Sequence, residues 1–87
     1  MKNIELISIR KADRNTPAGY MVKLGGKVIG FLDKYNNTKS ETHPWKAFGA
    51  KKVGDNYQYD TAGLFKCFYK ADGGKTAAIE FLVKATA

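Results

Sequence analysis

The sequence predicts an α+β fold, a small antiparallel sheet of about four strands with a C-terminal helix packed on one face. Three features carry this prediction. Two adjacent glycines separate two apolar segments, a later segment is rich in aromatic residues, and the last apolar segment has helical periodicity. A chain of 87 residues buries only one small core, so we expect a single domain spanning residues 1–87.

The N-terminal half predicts three strands. The first is the β-branched segment 4–9, which a polar run follows. The next two, at residues 20–24 and 27–32, flank Gly25 and Gly26, and both glycines tolerate the positive φ of a type I′ turn. We therefore expect a β-hairpin with a two-residue turn.

A two-residue turn also predicts which residues of the hairpin pair. The expected pairs are Leu24 with Lys27, Val22 with Ile29, and Tyr20 with Phe31. Residues that pair share a face of the sheet. The expected core face consists of Tyr20, Val22, Ile29 and Phe31. The expected opposite face consists of Met21, Lys23, Val28, Gly30 and Leu32.

The middle of the chain predicts either a helix of one or two turns or an irregular segment, followed by a loop. A helix at residues 43–49 would have Thr42 as its cap, Pro44 in its first turn and Gly49 as its stop. Trp45 and Phe48 would then lie on one side of the helix. Residues 50–63 predict a loop, with a short strand at 57–59.

A last strand and a helix complete the prediction. In the strand at residues 64–70, alternation places Phe65, Cys67 and Tyr69 on one face and Leu64, Lys66, Phe68 and Lys70 on the other. The helix is expected at residues 76–85, with Asp72 or Thr76 as its cap. Its expected apolar stripe is Ala78, Ile79, Leu82, Val83 and Ala85.

The residue types exclude several kinds of site. One cysteine and one histidine are too few for a zinc site or an intramolecular disulfide. Cys67 lies within an aromatic strand, where a buried and inert thiol is typical, and His43 is expected at the surface or in a cap. We therefore expect no metal, no cofactor and no enzymatic activity. The N-terminus has no signal-peptide pattern, which favours a cytoplasmic protein without a membrane partner.

One segment resembles a phosphate-binding loop. Gly74, Lys75 and Thr76 match the end of a P-loop, but Tyr69 stands where that motif begins with glycine. Two interpretations remain open. The glycines and Lys75 hold an anion at the start of the helix, or the glycines are an ordinary left-handed connection.

The charge is the strongest functional feature. Fifteen basic residues against eight acidic ones leave a net charge of +7, and 13 of the basic residues are lysine. Lysine favours contacts to a phosphate backbone over the bidentate base contacts typical of arginine. The candidate contact residues are basic side chains with interleaved aromatics: Arg10, Lys11, Lys23, Lys27, Trp45, Lys46, Lys51, Lys52, Tyr57, Tyr59, Lys66, Lys70 and Lys75.

Three functions fit these features. The first is a non-enzymatic protein that binds nucleic acid through backbone contacts, by charge attraction and base stacking. The second is an inhibitor or accessory module that binds an acidic protein surface, such as a virus- or mobile-element-encoded protein that blocks a host defence enzyme. The third is a small RNase-like toxin. The alternative for each aromatic is a core position, with the lysines forming a solvated surface. The oligomeric state stays open.

The C-terminal part of the chain resembles a family. The hairpin, the aromatic strand and the segment from Lys75 to Phe81 resemble AP2-type and integrase arm-type DNA-binding domains, in which an Ala-Ala helix packs behind a three-stranded sheet. The resemblance covers mainly residues 63–85 and implies a DNA partner. The segment from His43 to Trp45 and the scarcity of arginine on the hairpin differ from that family.

Overall fold

The computed structural model describes residues 3–11, 16–34 and 44–86. The strands are β1 (Ile4–Arg10), β2 (Ala18–Leu24), β3 (Lys27–Lys34), β4 (Trp45–Val53) and β5 (Asn56–Phe68). A 3₁₀ turn (Lys70–Asp72) leads into the helix α1 (Gly74–Thr86). The strands form one antiparallel sheet in the order β1-β2-β3-β4-β5. The predicted α+β class is confirmed, but the described sheet has five strands instead of about four.

The additional strand is β4, where a short helix or an irregular segment was expected. Its nine residues all pair with β5, and Ala47 is fully buried between β3 and β5. This ladder overrides the local capping pattern because it satisfies the backbone N–H and C=O groups of β4 with those of β3 and β5. Trp45 and Phe48 consequently lie on opposite faces of a strand, not on one side of a helix. The expected cap Thr42 and His43 lie outside the described residues.

The expected loop at 50–63 is also wrong, because these residues form the two strands of a long hairpin; the short strand expected at 57–59 is part of β5. Val53 pairs with Asn56 across a two-residue turn, in which Gly54 has φ +63°. The β4–β5 register then jumps from Gly49–Asp60 to Phe48–Phe65, leaving residues 61–64 of β5 without partners on β4. Extra residues of this kind bend and twist a strand pair. We call residues 49–60, beyond this irregularity, the arm.

Below the irregularity, β5 follows the predicted alternation. Phe65 pairs with Phe48 on one face, and Phe68 pairs with Trp45 on the other. The strand ends at Phe68, so Tyr69 lies beyond it and Lys70 belongs to the 3₁₀ turn.

The first hairpin has the expected turn but a different register. Gly25 and Gly26 both have positive φ, and Leu24 pairs with Lys27. A bulge at Ile29 then shifts the pairing by one residue, because Lys23 pairs with Val28 while Val22 pairs with Gly30. The expected Val22–Ile29 and Tyr20–Phe31 pairs are therefore wrong.

The bulge exchanges two large side chains between the faces. Tyr20 pairs with Leu32, which is fully buried beneath α1, whereas Phe31 pairs with Met21 on the other face. Gly30 allows the helix to approach, because a Cβ there would meet the Leu82 side chain at 2.7 Å and the Phe48 carbonyl oxygen at 2.6 Å. The expected faces hold for Val22 and Ile29 but are wrong for Phe31, Gly30 and Leu32.

The core lies between α1 and one face of the sheet, as predicted. Ala78, Ile79 and Leu82 are the buried helix residues, and Val83 packs at the edge. They pack against Val22, Ile29, Leu32, Ala47 and Phe68. Ala85 is exposed and is not part of the stripe, whereas Phe81 contacts Phe68 at 5.5 Å between ring centroids.

The helix begins earlier than predicted, at Gly74. Gly73 (φ +103°) and Gly74 (φ +59°) both have left-handed backbone torsions, which change the direction of the chain between the 3₁₀ turn and α1. Asp72 caps that turn, because its side chain accepts a 3.2 Å hydrogen bond from the Tyr69 N–H. Thr76 lies inside α1. The expected cap roles at the start of α1 are therefore wrong for both residues.

Candidate nucleic-acid interface

The arm folds over the face of the sheet opposite α1, which we call the second face. Tyr59 on the arm stacks on Phe31 of β3, with ring centroids 4.4 Å apart and ring planes 15° apart. The Tyr59 ring also contacts Phe48 at 5.0 Å, and Phe48 contacts Phe65 at the same distance. Four aromatic rings thus form a second, smaller cluster at the base of the arm.

A polar contact locks the Tyr59 ring in place. The Tyr59 hydroxyl donates a short hydrogen bond to Asp33 Oδ1, and the same oxygen accepts from Arg10 Nη2 at 2.9 Å. Arg10 Nε–H also donates to the carbonyl oxygen of Pro17 at 2.8 Å. Burial, together with the neighbouring Asp33 carboxylate, raises the pKa of Tyr59 above the usual 10.0 of a tyrosine. Arg10 and Tyr59 are both candidate contact residues, but their side chains form contacts within the protein.

A groove opens farther along the same face, between the tips of the two hairpins. It has a volume of about 410 Å³. The residues that line it come from β2, β3, the start of β5 and both turns: Met21, Lys23, Gly26, Lys27, Val28, Asp55, Asn56 and Tyr57. We call it the hairpin-tip groove. It brings together three candidate contact residues, Lys23, Lys27 and Tyr57, that are far apart in the sequence.

The functional groups around this groove differ from those at the base of the arm. Within the described part of the chain, Lys23 and Lys27 form no ion pair, and the Tyr57 ring has no aromatic partner. Lys52 lies opposite Tyr57 in the β4–β5 ladder, and Lys51 is the next residue; both lysines are exposed. These ammonium groups and the ring are available to a ligand.

The acidic residues nearest the groove only partly offset the lysines. Asp55 lies at the arm tip on the groove wall, and Glu5 stands opposite Lys23 in the β1–β2 register. Among the described residues, the ion pair is the one between Arg10 and Asp33. Asp55 and Glu5 therefore form no ion pair with a lysine in that part of the chain. Four lysines on two hairpin ends therefore outnumber two carboxylates.

The remaining candidate residues lie elsewhere. Trp45 is half-buried at the edge of the core, 5.9 Å from the Tyr20 ring and 5.2 Å from Lys34 Nζ. Lys66 lies over the Phe68 ring at 5.4 Å, on the helix side of the sheet. Lys46 is half-buried in β4, whereas Lys11, Lys70 and Lys75 are exposed at the ends of other elements.

Five of the eight residues that line the groove were not among the candidates. Met21 and Val28 form its apolar wall on the second face. The sequence signal that could have placed them is the Gly54–Asp55 turn, which marks a second hairpin tip next to Lys51 and Lys52. The position of the arm tip beside the first hairpin depends on the register jump that leaves residues 61–64 without partners on β4.

Cys67 is half-buried and is not in a disulfide. Among the described residues, no three His, Cys, Asp or Glu side chains are close enough to hold a metal ion. No helix in the described ranges is both long and apolar enough to cross a membrane. Comparisons with protein families, with curated proteins and with solved structures find no match to this chain.

Proposed function

We propose that this protein is a non-enzymatic nucleic-acid-binding protein that contacts the phosphate backbone through the lysines of its two hairpin tips. The observation that supports the proposal is the position of Lys23 and Lys27 on the wall of one groove, with Lys52 paired with the groove residue Tyr57. Lys51 is exposed on the other face of the same arm. The ammonium groups of these lysines have no acidic partner among the described residues. Clustered lysines without intramolecular partners favour a polyanionic ligand.

The type of basic residue favours backbone contact. Lysine presents a compact point charge, whereas bidentate base contacts in a groove of the duplex depend mostly on arginine. Arg10, the arginine among the described residues, is already held by Asp33 and Pro17. We therefore expect affinity that depends weakly on base sequence and strongly on salt.

The direct test is the binding of fluorescent oligonucleotides, single-stranded and duplex, at salt concentrations between about 50 and 200 mM. Counterion release predicts a linear fall of the logarithm of the association constant with the logarithm of the salt concentration. Lys23→Glu with Lys27→Glu, and separately Lys51→Glu with Lys52→Glu, should each weaken binding about tenfold or more at low salt.

The matched control is Lys34→Glu with Lys84→Glu. It makes the same change in net charge on the helix side of the sheet, away from the hairpin tips. It should weaken binding much less than the tip variants. Equal losses would show that total charge, not the hairpin tips, determines affinity. No binding of wild-type protein to any oligonucleotide at low salt would refute the function.

A different observation favours the protein-binding alternative. Ile7, Ile9, Leu64 and Phe65 are large apolar side chains at the surface, and Phe65 is 47% exposed. Ile7 and Ile9 lie on β1 and Leu64 and Phe65 on β5, at opposite edges of the sheet, and an apolar side chain at a sheet edge is a contact point for a partner protein. Recovery of one stoichiometric protein from nuclease-treated host lysate, lost on Phe65→Ser and retained by the tip variants, would support this function instead.

A further inference from the structure

Tyr57 is placed differently from the other aromatic residues on the second face. Phe31, Phe48, Phe65 and Tyr59 contact one another, whereas Tyr57 has no ring partner among the described residues. It is half-buried on the wall of the hairpin-tip groove. A half-buried ring has a constrained orientation but keeps part of its surface for a ligand.

The groove provides an apolar surface and charge in the same space. Met21 and Val28 line it beside Tyr57, and its volume of about 410 Å³ lies in the range of small-molecule binding sites. Lys23 and Lys27 stand on its β2–β3 side, and Asp55 stands on the arm side. A flat apolar group fits against the ring, and an anionic group fits toward the lysines.

These features match one part of a nucleic-acid chain. A nucleobase is flat and has a π face, and the phosphates on either side of it carry negative charge. In a duplex the bases are stacked on each other and do not reach a ring in a groove, whereas a single strand exposes them.

We propose that the hairpin-tip groove binds one unstacked base of a single strand, with Tyr57 as the stacking surface and Lys23 and Lys27 on the adjacent phosphates. This inference rests on the proposed function and adds to it the class of ligand. Asp55 directs the backbone toward the lysine side, because its carboxylate repels phosphate on the arm side. The protein therefore prefers single strands over duplexes of the same length.

The test compares two ligands of about ten nucleotides: an oligothymidine and an abasic oligonucleotide with the same phosphates but no bases. Tyr57→Ala should weaken binding of oligothymidine by about 5- to 150-fold, the range that corresponds to loss of one base–aromatic stack. It should leave binding of the abasic strand within about twofold of wild type, because the phosphate contacts persist.

Two matched variants control for structural effects. Tyr57→Phe retains the ring and should bind oligothymidine as wild type does. Gln58→Ala changes the neighbouring exposed residue of the arm, whose side chain points away from the groove, and should also bind normally. Circular dichroism of each variant should match that of wild type.

The outcomes separate this inference from the proposed function. Unchanged affinity of Tyr57→Ala for oligothymidine would refute base stacking, and so would an equal loss on the abasic strand or equal binding of duplex and single strand. In each of these cases, salt-dependent binding would still support backbone contact. Absence of any binding by wild type would refute both proposals.

Discussion

Tyr57 and Tyr59 are two residues apart on the same strand and face the same side of the arm. Their contacts differ, because Tyr59 packs within the protein and Tyr57 lines an open groove. Tyr59 stacks on Phe31 and donates to Asp33, so its ring and hydroxyl are both used by the fold. Tyr57 lies at the open end, beside lysines without acidic partners in the described part of the chain. We call the base of the arm, where Tyr59 contacts Phe31 and Asp33, the anchor. The open end of the arm, where Tyr57 lies, is the tip and is available for binding.

This difference separates residues that determine stability from residues that determine affinity. A candidate list based on charge and aromatic type contains both, because Arg10 has the same charge as Lys23 and Tyr59 has the same side chain as Tyr57. Only the contacts distinguish them. Substitutions at the anchor should change the free energy of unfolding, and substitutions at the tip should change ligand binding.

The largest expected effect is at Phe31, the buried residue beneath the anchor. Phe31 is 2% exposed. Phe31→Asp would bury a carboxylate against the Tyr59 ring and close to Asp33, which costs more than a small domain's stability allows. We expect no cooperative thermal transition by circular dichroism. A wild-type melting curve would show that the anchor does not hold the arm.

The next effect compares the two tyrosines directly. Tyr59→Ala removes the stacked ring and leaves Asp33 and Arg10 partly exposed, so it should lower the free energy of unfolding by about 2–4 kcal/mol. Tyr57→Ala should lower it by less than about 1 kcal/mol. Urea denaturation measures both. Similar losses at the two positions would contradict the division into anchor and tip.

A smaller effect depends on pH. The pKa of Tyr59 is raised in the folded state, so above pH 10 the unfolded chain loses this proton first. Stability should therefore fall as pH rises above 10, by at most about 1.4 kcal/mol per pH unit from this group. Tyr59→Phe should lack this contribution. The measurement is the pH dependence of urea midpoints for the two proteins, whose difference removes the titration of the lysines.

In that comparison, the difference in the free energy of unfolding between wild type and Tyr59→Phe should be constant below pH 9 and should decrease above pH 10. Below pH 9 the variant should be less stable by about 1 kcal/mol, because the Asp33 carboxylate loses a donor. A difference that stays constant up to the highest accessible pH would show that the Tyr59 proton is not held by the anchor.

The smallest effect on stability is expected at the tip lysines. Lys23→Gln with Lys27→Gln should change the free energy of unfolding by less than about 0.5 kcal/mol, since neither lysine has an ion-pair partner in the described chain. The salt dependence of single-strand binding should nevertheless decrease, by about 1.4 in the log–log slope. Lys34→Gln with Lys84→Gln is the charge-matched control, and an equal decrease there would contradict localisation at the tip.

Much of the fold follows from local patterns. The glycine pair at the first turn, the β-branched first strand and the apolar period of the C-terminal helix each predict the element that forms. The errors fall where two distant segments decide the outcome. The sequence of residues 43–49 has the features of a capped helix, yet residues 45–49 pair with β5, and the bulge at Ile29 moves Phe31 to the second face.

The residue types of the candidate site were predictable from the sequence, but its location on the fold was not. The charge, the predominance of lysine and the interleaved tyrosines are visible in the sequence. Which lysines lie near which tyrosine depends on the register jump at residues 61–64 and on the stacking of Tyr59 over Phe31, which places the arm over the sheet. Met21 and Val28, which line the groove, appeared only as residues of a mixed hairpin face.

The sequence by itself determined the α+β class, the first hairpin turn, the C-terminal helix and a net charge of +7. These follow from torsion preferences, short-range periodicity and composition, which belong to neighbouring residues or to simple sums over them. The tertiary structure alone decided the fifth strand, the face of Phe31 and the separation of Tyr59 from Tyr57. Those outcomes depend on strand register and on contacts between residues far apart in the chain, where a one-residue shift reverses every side chain.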